Sequence, residues 1–244
     1  MKEKPTPMPP LRQAFLEWYH VTKLGQTLRA IEGSYLRSAI KFNYNETILQ
    51  LGYLGSETLY IEQHCLSRFL MINPSDNIIS NTVPLVRAKI EKLPLPSESI
   101  ETVILPHVLD FENESRQEIL IEIERILKPE GRLFVLGLNP WTPSGILHFL
   151  RGSPSPFRSG FVSSHWIVEC LESMKFDSSF DAAFFVSSSP VLNRPSTLWT
   201  KARAALAFAY AVKAIKRRYS LIPTEPCWMN APSLATGQLL ERLS

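Results

Sequence analysis

Short, unbroken apolar runs alternating with helical patterns constrain this chain more than any other feature. The runs sit in Thr47–Gly55 (TILQLGYLG), Arg68–Asp76 (RFLMINPSD), Glu101–Phe111 (ETVILPHVLDF) and Gly131–Pro140 (GRLFVLGLNP). Runs of this kind mark strands buried on both faces, as in parallel sheets. Between the last two, Glu114–Gly131 sets Ile119, Ile123, Ile126 and Leu127 on one helical stripe, stopped by Pro129 and Gly131. Ser163–Phe176 predicts another helix, with Ser163 or Ser164 as N-cap, and Ala182–Ser187 a strand. Alternating strand and helix implies a doubly wound α/β sheet.

Ahead of the sheet, residues 1–10 read as a Pro-rich arm. Leu11–Ile40 predicts two helices broken near Lys23–Gly25, with Leu28, Ile31, Tyr35 and Leu36 at helical spacing. Ser196–Arg218 is ambiguous. Its alanine content favours one long helix, yet Phe208–Ile215 alternates weakly, as an outer strand would.

At 244 residues and 45% hydrophobic, the chain can bury a substantial core. A net charge of +3 makes no case for nucleic acid. The cysteines Cys65, Cys170 and Cys227 are odd in number and lack CxxC spacing, which argues against a disulfide framework or a zinc site. No signal-peptide h-region and no 18-residue apolar run are present. A cytoplasmic protein without a metal is expected.

The block Leu93–Trp141 resembles the central block of class I S-adenosylmethionine-dependent methyltransferases of type 11 (the ubiquinone/menaquinone-biosynthesis-like sort). Leu93-Pro94, Ser99-Ile100-Glu101 and Arg125–Gly131 stand on that family's ordered motifs. A bacterial subgroup of unassigned substrate is similar over nearly the whole chain. Its likeness rests on Trp18–Gly25, the LQLGxxG loop Leu49–Gly55, Leu105–Phe111 (its LPHxLEF) and Gly137–Thr142 (its GFNPWS). The resemblance implies a seven-stranded Rossmann-like sheet with its last strand antiparallel, so Phe208–Ile215 is expected as a strand. It also implies N-terminal helices (1–40) over one edge or the cofactor mouth, a methyltransferase-like domain over 41–218 and an extension over 219–244.

The same resemblance places S-adenosylmethionine on the loop with Gly52 and Gly55. Gln50 stands where a carboxylate usually meets the methionine amino group, and Asn73 where an acid usually holds the ribose. Lys89 replaces the acid that meets adenine, with Glu91 close by, and Leu93 completes the cofactor set. His107 follows the fourth strand and is read as a cofactor or substrate contact or general base, since a neutral imidazole accepts a proton near pH 7, or else as a structural histidine bonding a loop carbonyl; Asp110 either orients it or starts a helix. Asn139 and Trp141 are placed at the acceptor. His20, His64, His148 and His165 are expected at the surface or as caps. The basic stretch Lys213–Arg218 is expected to be a solvated strand end, with an acidic acceptor, a phosphate-bearing partner or a membrane surface as its functional alternatives.

The expected activity is methyl transfer to a small or medium-sized acceptor. Its rivals are a catalytically silent methyltransferase-like binding or regulatory protein, favoured by the acid-poor site, and a protein for another nucleotide. The loop lacks the GK[ST] of a P-loop.

Overall fold

The computed structural model describes residues 10–40, 46–55, 60, 69–74, 84–140, 142, 161–186, 191–193 and 206–217. Helix α1 (Pro10–Val21) and helix α2 (Lys23–Ala39) are separated by Thr22 alone. The Thr22 side chain accepts from Gly25 N as the N-cap of α2. The corner is tight enough that a Cβ on Gly25 would lie 2.4 Å from Trp18 O. The break therefore falls at Thr22, just before the stretch expected from sequence.

The strands are β1 (Ile48–Leu51), β2 (Phe69–Asn73), β3 (Leu85–Arg87), β4 (Ile100–Pro106), β5 (Leu127–Leu138), β6 (Phe176–Phe184), β7 (Val191–Asn193) and β8 (Ala209–Lys216). They form one sheet in the order β3-β2-β1-β4-β5-β8-β6-β7. Strands β1 to β5 pair in parallel, and β8 inserts antiparallel between β5 and β6. This is the expected seven-stranded methyltransferase sheet with an antiparallel last strand. An eighth strand, β7, is added antiparallel on the outer side of β6.

The alanine-rich segment is thus a strand. Its backbone bonds run to β5 on one side and β6 on the other, and this pairing overrides alanine's local preference for helix. Helix α4 (Arg116–Ile126) ends earlier than the pattern predicted, because Leu127 already pairs with Ile100. The register then slips so that Thr102 meets Arg132, and Glu130 takes φ 62° in the excursion. Strand β6 starts at Phe176 rather than Ala182, since its first half is only partly buried and carries little apolar signal.

Two apolar layers flank the sheet. One packs Ile119, Leu120, Ile123 and Ile126 of α4, with Ile167 and Leu171 of α5 (Ser164–Ser173), against one face. The other packs Phe15 and Tyr19 of α1, and Leu28, Ile31, Tyr35 and Leu36 of α2, against the opposite face. The N-terminal helices also reach the carboxyl ends of the strands, where Phe15 of α1 packs against His107 with ring centroids 5.0 Å apart and the planes tilted by 56°. None of the described helices is long and apolar enough to cross a membrane.

Candidate active site

Strand β1 delivers the chain into a loop in which Gly52 and Gly55 take φ 87° and 78°, a left-handed backbone that glycine adopts freely. Gly52 N donates to Ile72 O at 2.8 Å, which fixes the loop to the end of β2. Gln50, fully buried, donates from Nε2 to Gly52 O at 2.9 Å. Asn73 accepts Tyr53 N on its Oδ1 at 3.3 Å. Both amides standing where family acids are usual therefore brace the loop backbone.

The N-terminal helices close over this loop. A Cβ at Gly52 would lie 2.6 Å from both an Arg12 guanidinium nitrogen and Val108 Cγ2. His20 contacts Leu54 O through Nε2 at 2.6 Å, while its Nδ1 lies 2.8 Å from Arg29 Nη1. Arginine can only donate, so Nδ1 accepts and Nε2 carries the proton that goes to Leu54 O. His20 is a clamp on the glycine loop, against the expectation of a surface or capping role. His165 sits exposed on α5 beside Glu169, as expected; His64 and His148 lie outside the described residues.

At the end of β4, His107 takes φ 53°, a strained value for a residue other than glycine, and caps the short helix α3 (Val108–Phe111). It is 1% exposed. Its Nε2 meets Glu32 Oε1 at 3.1 Å and its Nδ1 meets Asp110 Oδ2 at 3.3 Å. Glu32, from α2, also accepts the Tyr19 hydroxyl at 2.7 Å, and Tyr19 in turn lies 3.2 Å from the Tyr60 hydroxyl. Asp110 also accepts Leu138 N at 3.0 Å, which ties α3 to the end of β5.

Burial alone would drive the imidazole toward neutrality, but Glu32 and Asp110 more than offset it and raise its pKa to about 9. With a carboxylate facing each nitrogen, the ring donates on both sides and is an imidazolium at neutral pH. Burial pushes the Asp110 carboxyl up, and His107 opposes that rise. In this conformation His107 holds helices together and has no lone pair for an acceptor's proton.

The Leu93 segment is pinned by α4. Leu93 N donates to Glu122 Oε1 at 2.7 Å, and Arg125 Nη2 donates to Leu93 O at 3.2 Å and to Glu122 at 2.7 Å. This explains in physical terms why Leu93-Pro94 and the Arg125 region occur together. Lys89 is exposed and Glu91 half-buried, near enough to raise the pKa of the Glu112 carboxyl on top of the rise from burial. Asn139 Nδ2 donates to Ala207 O at 2.9 Å, fastening the end of β5 to the segment before β8. Trp141 lies outside the described residues.

The basic stretch is engaged within the sheet. Lys213 Nζ sits 5.8 Å from the Phe134 ring centroid. Lys216 donates to Glu124 O and Leu127 O and pairs with Glu124 Oε1 at 3.0 Å. Arg217 bridges Glu130 and Asp177, and Arg218 lies outside the described residues.

The cofactor implied by the resemblance fits this cradle in part. The two glycines take the left-handed backbone that such a loop uses, with Arg12, Val108 and His20 packed over them, and Gln50 and Asn73 bring amides rather than acids. Residues 49–135 match the family model described as a methyltransferase domain. No curated protein sequence matches the chain. Among solved structures, a SAM-dependent methyltransferase from Archaeoglobus fulgidus shares 14% identity at TM-score 0.60, over 84% of this chain and 99% of that one. One from Thermotoga maritima, described as a possible histamine N-methyltransferase, shares 16% at TM-score 0.60, over 85% and 100%. One from Mesorhizobium loti shares 14% at TM-score 0.54, over 76% and 97%. Those likenesses are of fold, while the family match spans the glycine loop, the His107 lip and α4. Residues 49–135 are thus similar to a methyltransferase domain, and the chain has the Rossmann-like fold seen in S-adenosylmethionine-dependent methyltransferases.

Proposed function

We propose that the protein binds S-adenosylmethionine on the Gly52–Gly55 loop and transfers its methyl group to a small or medium-sized acceptor. The observation that carries this reading is the pair of left-handed glycines at the end of β1, inside the segment that matches the methyltransferase-domain model. Gln50 and Asn73 brace the loop, Leu93 is pinned by Glu122 of α4, and His107 and Asp110 stand at the end of β4.

When bound, the cofactor supplies a methyl group already activated on a sulfonium. The chain's own work is then to bind, to align the acceptor and to keep water out. Phe15, Tyr19 and Phe111 form an aromatic wall around His107, so acceptor entry on this side requires α1 to move. An acceptor that needs deprotonation would gain a base at His107 only once Glu32 leaves it.

A second reading, a silent methyltransferase-like binding protein, is favoured by one observation. Arg12, Phe15 and His20 of α1 pack directly on the loop and lip where ligands would enter. Thermal-shift measurements separate the readings. Stabilisation by S-adenosylhomocysteine, with none by NAD or ATP, supports the cofactor assignment. No shift with any of them supports the silent protein, and a shift with NAD or ATP alone supports a different nucleotide.

A further inference from the structure

Arg12 lies in the first turn of α1 and is 3% exposed. One of its guanidinium nitrogens approaches to 2.6 Å of the point where a Gly52 Cβ would stand, so the fork lies directly on the glycine loop. Among the described residues the guanidinium makes no hydrogen bond and no ion pair. The half-buried Glu112 acts on it electrostatically without direct contact. Taking a cation out of water without close partners is unfavourable, and burial accordingly lowers the Arg12 pKa. A purely structural position of this size is better filled by an apolar or amide side chain. An arginine held there is suited to a ligand that brings the missing negative charge.

The loop position says which part of a ligand that would be. Gly52 lies two residues past Gln50, which braces it, and Asn73 holds Tyr53 from the end of β2; under the cofactor reading these are the methionine and ribose sides of the cradle. A planar guanidinium matches a carboxylate through two parallel N–H···O bonds. We infer that Arg12 is an anion-binding residue contributed by the N-terminal helix, which takes the α-carboxylate of the cofactor's amino-acid end. This rests on the cofactor reading above. It gives α1 a part in the site itself: the helix that covers the loop brings a positive charge to it, beside the neutral Gln50 and Asn73.

The test uses the full chain with two probes, S-adenosylhomocysteine and its decarboxylated analogue, which lacks only that carboxylate. In calorimetry, Arg12→Gln should weaken S-adenosylhomocysteine roughly 10- to 100-fold and leave the analogue within about twofold. Arg12→Lys should retain part of the lost affinity, as a charge without the fork. The melting temperature of ligand-free Arg12→Gln should not fall, because a buried, uncompensated cation has been removed. Equal losses for both probes together with a lower melting temperature would make Arg12 a structural brace and overturn the inference. So would undiminished S-adenosylhomocysteine binding by Arg12→Gln. If the wild-type chain binds neither probe, the cofactor reading itself fails and the Arg12 assignment goes with it. Failure of Arg12 alone shows as wild-type binding of both probes without the selective loss.

Discussion

His107 Nε2 and Glu32 Oε1 meet at 3.1 Å across 75 residues of sequence, in a contact buried on both sides. It joins the second N-terminal helix to the end of β4, and so couples the cover of the candidate site to its lip. Removing one partner of such a pair leaves the other charged and buried. Glu32→Gln should destabilise the protein by about 3 kcal/mol in chemical denaturation. It should also lower the His107 pKa, read from imidazole proton shifts. A variant with unchanged stability would mean that this contact does not hold α2 in place.

The same network sets a pH dependence. The His107 pKa is raised from its ordinary 6.5 to about 9 in the folded chain. Its contribution is therefore fully present below the unfolded value and is lost as pH rises through about 9. The full effect is about 3 kcal/mol at most. Wild-type stability should fall between neutral pH and pH ~10. His107→Asn, which tolerates the left-handed backbone, should flatten that slope. An equal slope in both proteins would place the titration elsewhere.

How far the sequence revealed this arrangement differs element by element. Strands β1, β2, β4 and the second half of β5 are legible because they are buried on both faces and largely apolar, whereas the polar first half of β5, Leu127 to Arg132, reads as a helix end. Strand β3 is three residues with mostly exposed side chains, and β7 is equally short, so neither leaves a pattern. Strand β8 shows only a weak alternation beneath an alanine content that favours helix, and the family likeness decides for strand. The glycine loop and His107 could be placed from motif order. Arg12, Tyr19, His20 and Glu32 could not, because the groups they pack against or bond lie far along the chain and local periodicity says only that they are helical. One signal was available: Glu32 interrupts the apolar stripe formed by Leu28, Ile31, Tyr35 and Leu36, and a carboxylate there demands a buried partner.

Gln50 offers a third test. Its Nε2 donates to Gly52 O inside the loop, and a carboxylate cannot supply that proton. Gln50→Glu should cost about 2 kcal/mol of stability, with the loss growing as pH rises and the buried acid ionises. It should not tighten S-adenosylmethionine. Tighter binding without a stability loss would show that residue 50 faces the ligand instead of bracing the loop.

The basic end of β8 is expected to be structural. Lys216→Gln removes contacts to Glu124 and Leu127 and should cost about 1 kcal/mol. Arg217→Gln, at an exposed pair of bridges, should leave the melting temperature unchanged. Neither change should alter co-sedimentation with anionic liposomes. If the wild type binds such vesicles and the variants do not, the stretch is a membrane contact.

The central claim, that the Gly52–Gly55 loop holds S-adenosylmethionine, is tested most directly by calorimetric titration of the wild-type chain with the cofactor and its product. With amides at Gln50 and Asn73 in place of acids, the site offers little to a sulfonium, and each neutral contact costs about 1 kcal/mol relative to a charged one. Both ligands should bind at micromolar to tens-of-micromolar Kd, with S-adenosylhomocysteine at least as tight as S-adenosylmethionine. The absence of heat from either ligand at about 1 mM, corresponding to less than about 4 kcal/mol of binding, would contradict the claim.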